Sequence, residues 1–514
     1  MRLRSLIFPA VLFCACRLAA APVEGAAILT PVAPPQPRIN GPSVFGVRPG
    51  SPLLYSIPAT GNRPISFSAT GLPPGAAVDA ATGRISGVAP SAPREYRVVL
   101  AASNAAGKAT RTLTIKVGEA ISLTPAMGWN SWNCWAGAVD QAKVMQSARA
   151  MVRFGLDQHG WTYINIDDTW QGARGGPDHA IQPNAKFPDL KALCDAIHAL
   201  GLKAGIYSTP WTTSYASYIG GSAENPAGDW TKPHLTRDEK RKVINHKIMP
   251  YAVGQYHFMV ADARQWAAWG FDYLKYDWNP IEAPDVAEMA EALRHSGRDF
   301  IYSLSNSAPF PGAADWAKLS NSWRTRGDIR DNWTSMWGEG YNEEKWREFA
   351  GPGHWNDPDM FEVGWVGGGP NLHASRLTPD EQYTHVSLWC LLAAPLLIGC
   401  DLDRLDPFAV GLLTNDEVLA LDQDALGIQA RRLAGEAEVR GGVVYAKPLE
   451  DGSWAVGLFN PSDHPATVRV SWSDLGLDGT KRVRDLWRQK SLGEHSGGFN
   501  AEVAAHGVVL IGIR

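Results

Sequence analysis

The sequence predicts a multidomain chain: an N-terminal β-sandwich, a central (β/α)8 barrel of the TIM type and a C-terminal antiparallel β-sandwich. Three observations predict it. From Arg38 to Val117, alternating runs such as LLYSI, YRVVLAASN and RTLTIKV are separated by turn formers such as GLPPGA and DAATG, without a helical period. From Ile121 onward, short apolar stretches alternate with segments whose apolar residues recur at three and four. Near Gly427 the texture returns to strands, as in GGVVYAKPLEDGSWAVGLFN and VVLIGIR. A length of 514 residues also exceeds a single ordinary core.

The chain opens MRLRSLIFPAVLFCACRLAAAP, with Arg2 and Arg4, an apolar run from Leu6 to Cys16 and small residues at Ala19 to Ala21. This reads as a secretory signal over residues 1–25, too short to serve as a membrane anchor. The expectation is therefore export to the periplasm, the cell exterior or the cell surface. Lipidation at Cys16 is a less favoured route, because Phe13 and Cys14 make a poor lipobox. Residues 26–37 are rich in proline and alanine and read as an extended linker. No later stretch offers 18 consecutive apolar residues, so no integral membrane segment is expected after signal removal.

The sandwich occupies 38–118 and the barrel 121–426. Eight stretches supply the barrel strands: AMGWNSW (126–132), YINIDD (163–168), KAGIYS (203–208), DYLKYD (272–277), FIYSLSN (300–306), NSWRTRGD (321–328), HWNDPDM (354–360) and PLLIGCD (395–401). DLKALCDAIHALG and DVAEMAEALRHSG have helical periodicity and end at glycine. A doubly wound sheet is the alternative, but no G-x-G-x-x-G follows the first strand. Residues 209–258 form the longest connection and are rich in Tyr, Trp and Gly, as functional loops often are. The second sandwich spans 427–514.

A net charge of −4 with no long basic run excludes a nucleic-acid partner. Cys134, Cys194, Cys390 and Cys400 are too widely spaced for a zinc site and read as buried thiols, with one disulfide as the alternative. No H-x-H or H-E-x-x-H occurs, and no metal or organic cofactor is expected.

Barrel active sites lie at the C-terminal ends of the strands. Polar residues fall there on six strands: Asp167 and Asp168, Tyr207, Lys275 and Asp277, Asn306, Arg324 and Asp328, and Asp357 with Asp359. An acidic residue after a strand is ordinarily an N-cap or turn former, but six strands together resist that reading. Carboxylates on facing strands, surrounded by aromatic residues, suggest glycoside hydrolysis. Lys275 sits two residues before Asp277 on the same strand face and is expected to keep it ionised. A structural ion pair and a Schiff-base lysine are the rival readings.

The 80 residues of the first sandwich resemble the immunoglobulin-like modules of bacterial secreted proteins, which serve mostly as spacers or adhesion units. From Leu123 to Arg514 the chain resembles the glycoside hydrolase family 27 α-galactosidases, through MGWNSW, NIDDTW, GIYS, LKYD, SWRTRGDI and WNDPDM in order. The resemblance implies a retaining double displacement on a terminal sugar of an oligosaccharide or polysaccharide. Asp277 would be the nucleophile and Asp328 the acid/base. Arg324 would contact the sugar. Trp129, Asp167, Asp168, Tyr207, Lys275 and Asp359 would line the pocket, with the paired aspartates bonding the O4 and O6 hydroxyls of a galactose-like ring. Asp331 would be structural.

One departure stands out. Where the eukaryotic enzymes end strand five in C-E-W, with a glutamate reading the sugar's 2-position, this chain has YSLSNSAP, placing Ser305 or Asn306 there. That change opens α-N-acetylgalactosaminidase, β-L-arabinopyranosidase and isomalto-dextranase-like activities as alternatives. A non-catalytic carbohydrate-binding protein is the reading from another class. The oligomeric state is not fixed by the sequence.

Overall fold

A computed structural model of the chain describes residues 27–228, 251–434 and 441–514. The segment read as a secretory signal, with Cys16, and part of the long connection lie outside the described residues.

Eight parallel strands form the central sheet: β1 (Met127–Asn130), β2 (Tyr163–Asn165), β3 (Lys203–Ser208), β4 (Tyr273–Asp277), β5 (Ile301–Ser305), β6 (Ser322–Arg324), β7 (Trp355–Asp357) and β8 (Leu396–Ile398). Each lies within one of the eight stretches read from the sequence. They pair in the order β7-β6-β5-β4-β3-β2-β1-β8. The sheet closes just past β7, where Phe361 N–H donates to Leu397 O at 2.7 Å and Gly399 N–H donates to Phe361 O at 3.0 Å. In β4 the outward Leu274 and Tyr276 are fully buried, leaving Lys275 and Asp277 on the inner face.

The helices outside begin and end on local signals. Asp140 and Asp189 cap α1 (Gln141–Arg153) and α2 (Leu190–Ala199) by accepting backbone N–H groups at 2.8 Å. The helix α3 (Met259–Trp269) stops at Gly270, whose φ of 103° suits glycine. Around the barrel follow α4 (Ala283–Arg294), α5 (Ala313–Leu319), α6 (Trp333–Tyr341) and α7 (Pro379–Leu392). Thr378 and Glu381 form a capping box on α7, with Pro379 at its first position. Cys134, Cys194, Cys390 and Cys400 are free and buried. Among the described residues no helix is long and apolar enough to cross a membrane.

The C-terminal unit has a six-stranded antiparallel sheet and a two-stranded partner, Ala466–Ser471 with Gly498–Val503. It packs on α6 and α7, where Lys447 Nζ donates to Cys390 O at 3.0 Å and the Trp333 ring stacks on His506 at 4.0 Å.

The first sandwich has four strands against three, around Ile85, Val98, Leu100, Leu113 and Ile115. It rests on the N-terminal end of the barrel. Ser56 Oγ donates to Gly201 O at 2.7 Å, Arg84 Nη1 to His198 O at 3.0 Å and Asn40 Nδ2 to Gln158 O at 3.0 Å. Asp299, just before β5, accepts from Arg48 N–H at 2.9 Å, Arg48 Nη1 at 3.4 Å and Ser51 Oγ at 3.0 Å. The preceding segment is also tied down: Leu29 N–H donates to Tyr383 Oη at 3.0 Å and Thr30 Oγ1 to Gly411 O at 2.6 Å.

Asp299→Ala removes a half-buried charged acceptor and is expected to weaken this docking by about 1–3 kcal/mol. Because proteolysis tracks the opened population, cleavage in the connection after Gly118 should accelerate about fivefold or more. An unchanged cleavage rate would show that these bonds contribute nothing to docking.

Candidate active site

The inward side chains at the C-terminal ends of the strands form one connected polar network. Lys275 Nζ donates to Asp167 Oδ2 at 2.7 Å. Burial pulls its ammonium down, but the charges of Asp167 and Asp277 outweigh burial and hold Lys275 above its ordinary value. Asp277 is 8% exposed. Its Oδ2 accepts from Tyr207 Oη at 3.0 Å, and its Oδ1 is buried without a hydrogen-bond partner among the described residues. A buried carboxyl oxygen left unbonded disfavours the charged form. Burial pushes the carboxyl up to about 7; Lys275 acts against this, while Asp167 and Asp328 add to it. The expectation that Lys275 keeps Asp277 ionised is thus corrected. The cation acts in the expected direction, but its hydrogen bond goes to Asp167 and burial prevails.

Across the opening, Arg324 is 4% exposed and Asp328 carries a side chain 75% exposed. Arg324 Nη2 reaches Asp359 Oδ2 at 2.9 Å and Asp328 Oδ1 at 3.3 Å, and it also donates to Gly327 O. Partial burial pushes Asp328 upward, yet Arg324 and, behind it, Lys275 prevail and hold it below the usual carboxylate range. Asp359 accepts Ile329 N–H at 2.9 Å, which pins the turn carrying Asp328. Burial pushes Asp357, which accepts Asp359 N–H at 2.8 Å, up to about 6. Arg326 turns away to Glu339 at 2.9 Å. Asp331 is buried and accepts from Arg376 and His373, a clamp on the segment after β7.

Trp129 is wholly buried, with its indole N–H donated to Cys400 O at 2.8 Å, so only ring packing is left to it. Asp167 Oδ1 accepts Asp168 N–H at 2.8 Å. Asp168 is used heavily inside the protein: Oδ1 accepts from Thr169 N–H at 2.7 Å and Gln171 Nε2 at 3.1 Å, and Oδ2 accepts from Ala216 N–H at 3.0 Å. The Ser214 side chain bonds it as well. Ser305 is buried beside Asp277, its partner in strand register. Asn306 follows with a φ of 81°.

The reading of the long connection as functional did not single out Tyr215, which belongs to this cluster. Its hydroxyl bonds the Asn306 side chain, its backbone carbonyl accepts from Tyr251 Oη at 2.7 Å, and its ring lies among Trp211 and Tyr251. Only the aromatic richness of the segment signalled it. Among the described residues no group of three or more His, Cys, Asp and Glu is arranged to hold a metal ion.

Residues 124–229 and 241–424 match the family model for alpha galactosidase A. Residues 440–513 match the model for the C-terminal β-sandwich domain of alpha galactosidase, and residues 36–118 match an Ig domain model. An α-galactosidase of Cyamopsis tetragonoloba is 39% identical over 392 residues, covering 74% of this chain and 84% of its own. The structure of α-galactosidase I from Mortierella vinacea superposes with a TM-score of 0.64 at 30% identity, over 76% of this chain and 97% of its own. A Bacteroides fragilis structure, whose own α-galactosidase assignment is provisional, superposes with a TM-score of 0.81 at 31% identity, over 94% and 99%.

Proposed function

Because the chain belongs to glycoside hydrolase family 27, the α-galactosidases, with an immunoglobulin-like module ahead of its barrel, we propose that it is an exported exo-enzyme releasing terminal α-D-galactose with retention. Asp277 attacks the anomeric carbon while Tyr207 orients its carboxyl through Oδ2. Asp328 protonates the leaving oxygen, then takes a proton from the water that cleaves the galactosyl-enzyme. Arg324, anchored by Asp359, keeps Asp328 at the mouth. The carrying observation is the pairing of a buried carboxyl bonded through one oxygen with an exposed carboxyl whose charge acts on it.

In the free site the shared proton resides on Asp277, since Asp277 titrates near 7 and Asp328 below the ordinary range. Chemistry needs it on Asp328. A sugar covering Asp328 removes its solvent and favours the neutral form, so binding moves the proton across the pair. The pair carries one proton from below the usual aspartate range up to about pH 7. Above that the proton is lost and both carboxyls are charged, so kcat/KM should fall about tenfold per pH unit. A kcat/KM profile flat to pH 9 would contradict this assignment.

Initial rates on p-nitrophenyl α-galactoside, α-N-acetylgalactosaminide, β-L-arabinopyranoside and α-glucoside test the choice of sugar. The α-galactoside should lead by about tenfold or more. If another sugar leads, the galactose reading fails while the family assignment stands.

A further inference from the structure

Residues 213–219 form a tight hairpin at the rim of the barrel. Thr213 and Ile219 bridge antiparallel, Ser214 N–H donates to Tyr218 O at 2.8 Å and Ser217 N–H returns to Ser214 O at 3.0 Å. The hairpin is fixed at both ends. Its tip is clasped by Asp168, through Ala216 N–H at 3.0 Å and the Ser214 side chain. At its base, Gly220 O accepts from Arg174, which is locked bidentately on the fully buried Asp262 at 2.9 and 3.0 Å and lies over the Phe258 ring. Tyr215 projects from this hairpin with its ring 5.1 Å from Trp211 and 5.4 Å from Tyr251.

The residue it meets is held equally firmly. Asn306 and Ser307 are consecutive non-glycine residues with φ of 81° and 60°, a conformation that persists only where the surroundings impose it. Those surroundings are visible: Asn306 O accepts from Asn279 Nδ2 at 3.0 Å, Ser307 N–H donates to Arg326 O at 3.1 Å and Ala308 N–H donates to Arg324 O at 2.7 Å. The turn thus brings the Asn306 amide to the Tyr215 hydroxyl beside Asp277, at the end of β5.

We infer that Tyr215, positioned against Asn306, is the specificity-determining residue for the substituent adjacent to the anomeric carbon, accepting a hydroxyl there and excluding a 2-acetamido group. The inference rests on the proposed reaction. With the anomeric carbon at the buried Asp277 and its leaving oxygen directed to the exposed Asp328, the Tyr215–Asn306 wall beside Asp277 faces the ring, and of the anomeric carbon's two ring neighbours only the 2-carbon carries a substituent to read. The phenol and amide are neutral partners suited to a hydroxyl, and the half-buried ring occupies space that an acetamido group needs. Asp168 is then a positioning residue for this wall.

The test is kcat/KM of the full chain, and of its Tyr215→Ala and Tyr215→Phe variants, on p-nitrophenyl α-galactoside, 2-deoxy-α-galactoside and α-N-acetylgalactosaminide. Tyr215→Ala should raise the acetamido-to-galactoside ratio by about tenfold or more. Tyr215→Phe keeps the ring stack, so it guards against misfolding of the alanine variant. It should retain the exclusion yet lose about tenfold of the preference for the 2-hydroxyl over 2-deoxy. If all three rates fall in step, leaving the ratios within about twofold of the parent, Tyr215 only supports the fold and the inference is overturned. If the parent chain hydrolyses no α-galactoside, the proposed reaction itself fails, an outcome distinct from unmoved ratios.

Discussion

Asp277→Asn is expected to lower kcat on p-nitrophenyl α-galactoside by about ten-thousandfold or more, the scale of losing a covalent nucleophile. The substitution is nearly isosteric, and an amide oxygen can still accept from Tyr207 Oη, which now lies 3.0 Å from Oδ2. Lys275 keeps its bond to Asp167 at 2.7 Å. The local structure therefore has the means to survive, and the loss reports chemistry. Substituting Gly for Asp277 and adding azide should restore turnover and give β-galactosyl azide, since the small anion attacks from the side Asp277 vacates. A variant that retains parent activity would remove Asp277 from the mechanism.

Asp328→Ala should produce the second largest effect, about 100- to 10,000-fold, the usual contribution of a general acid/base. The effect should depend on the leaving group. A dinitrophenolate departs unaided, so its galactosylation step is spared, whereas a sugar or alkyl alcohol needs the proton. Azide should rescue the second step and yield α-galactosyl azide, the opposite anomer to that from the Asp277 variant. Removing this side chain does not strand Arg324, which keeps Asp359 at 2.9 Å and the Gly327 carbonyl. Loss that is equal for all leaving groups would mean that Asp328 only shapes the site.

Local pattern carried the barrel and much of the polar cluster. Alternation in DYLKYD placed Lys275 and Asp277 on one inward face because its outward residues, Leu274 and Tyr276, are fully buried against the helices. Periodicity marked the helices within DLKALCDAIHALG and DVAEMAEALRHSG, which run Leu190–Ala199 and Ala283–Arg294. What escaped depends on contacts distant in sequence. Asp299 meets Arg48 across 251 residues and Leu29 meets Tyr383 across 354, so neither the docking of the first sandwich nor the tethering of the preceding segment shows in local composition. The direction of the Asp277 shift escaped for another reason: strand alternation set Lys275 beside it but gave no measure of burial or of the competing Asp167. Tyr215 escaped because its role arises from a hairpin closed by Asp168 and a left-handed turn at Asn306, features with no periodic signature.

The covalent intermediate can be trapped with a 5-fluorinated α-galactosyl fluoride and the labelled peptide mapped by mass spectrometry. A single galactosyl adduct is expected, formed with time-dependent loss of activity and carried on Asp277. An adduct on another carboxylate, or full inactivation without any adduct, would contradict the assignment of Asp277 as the nucleophile.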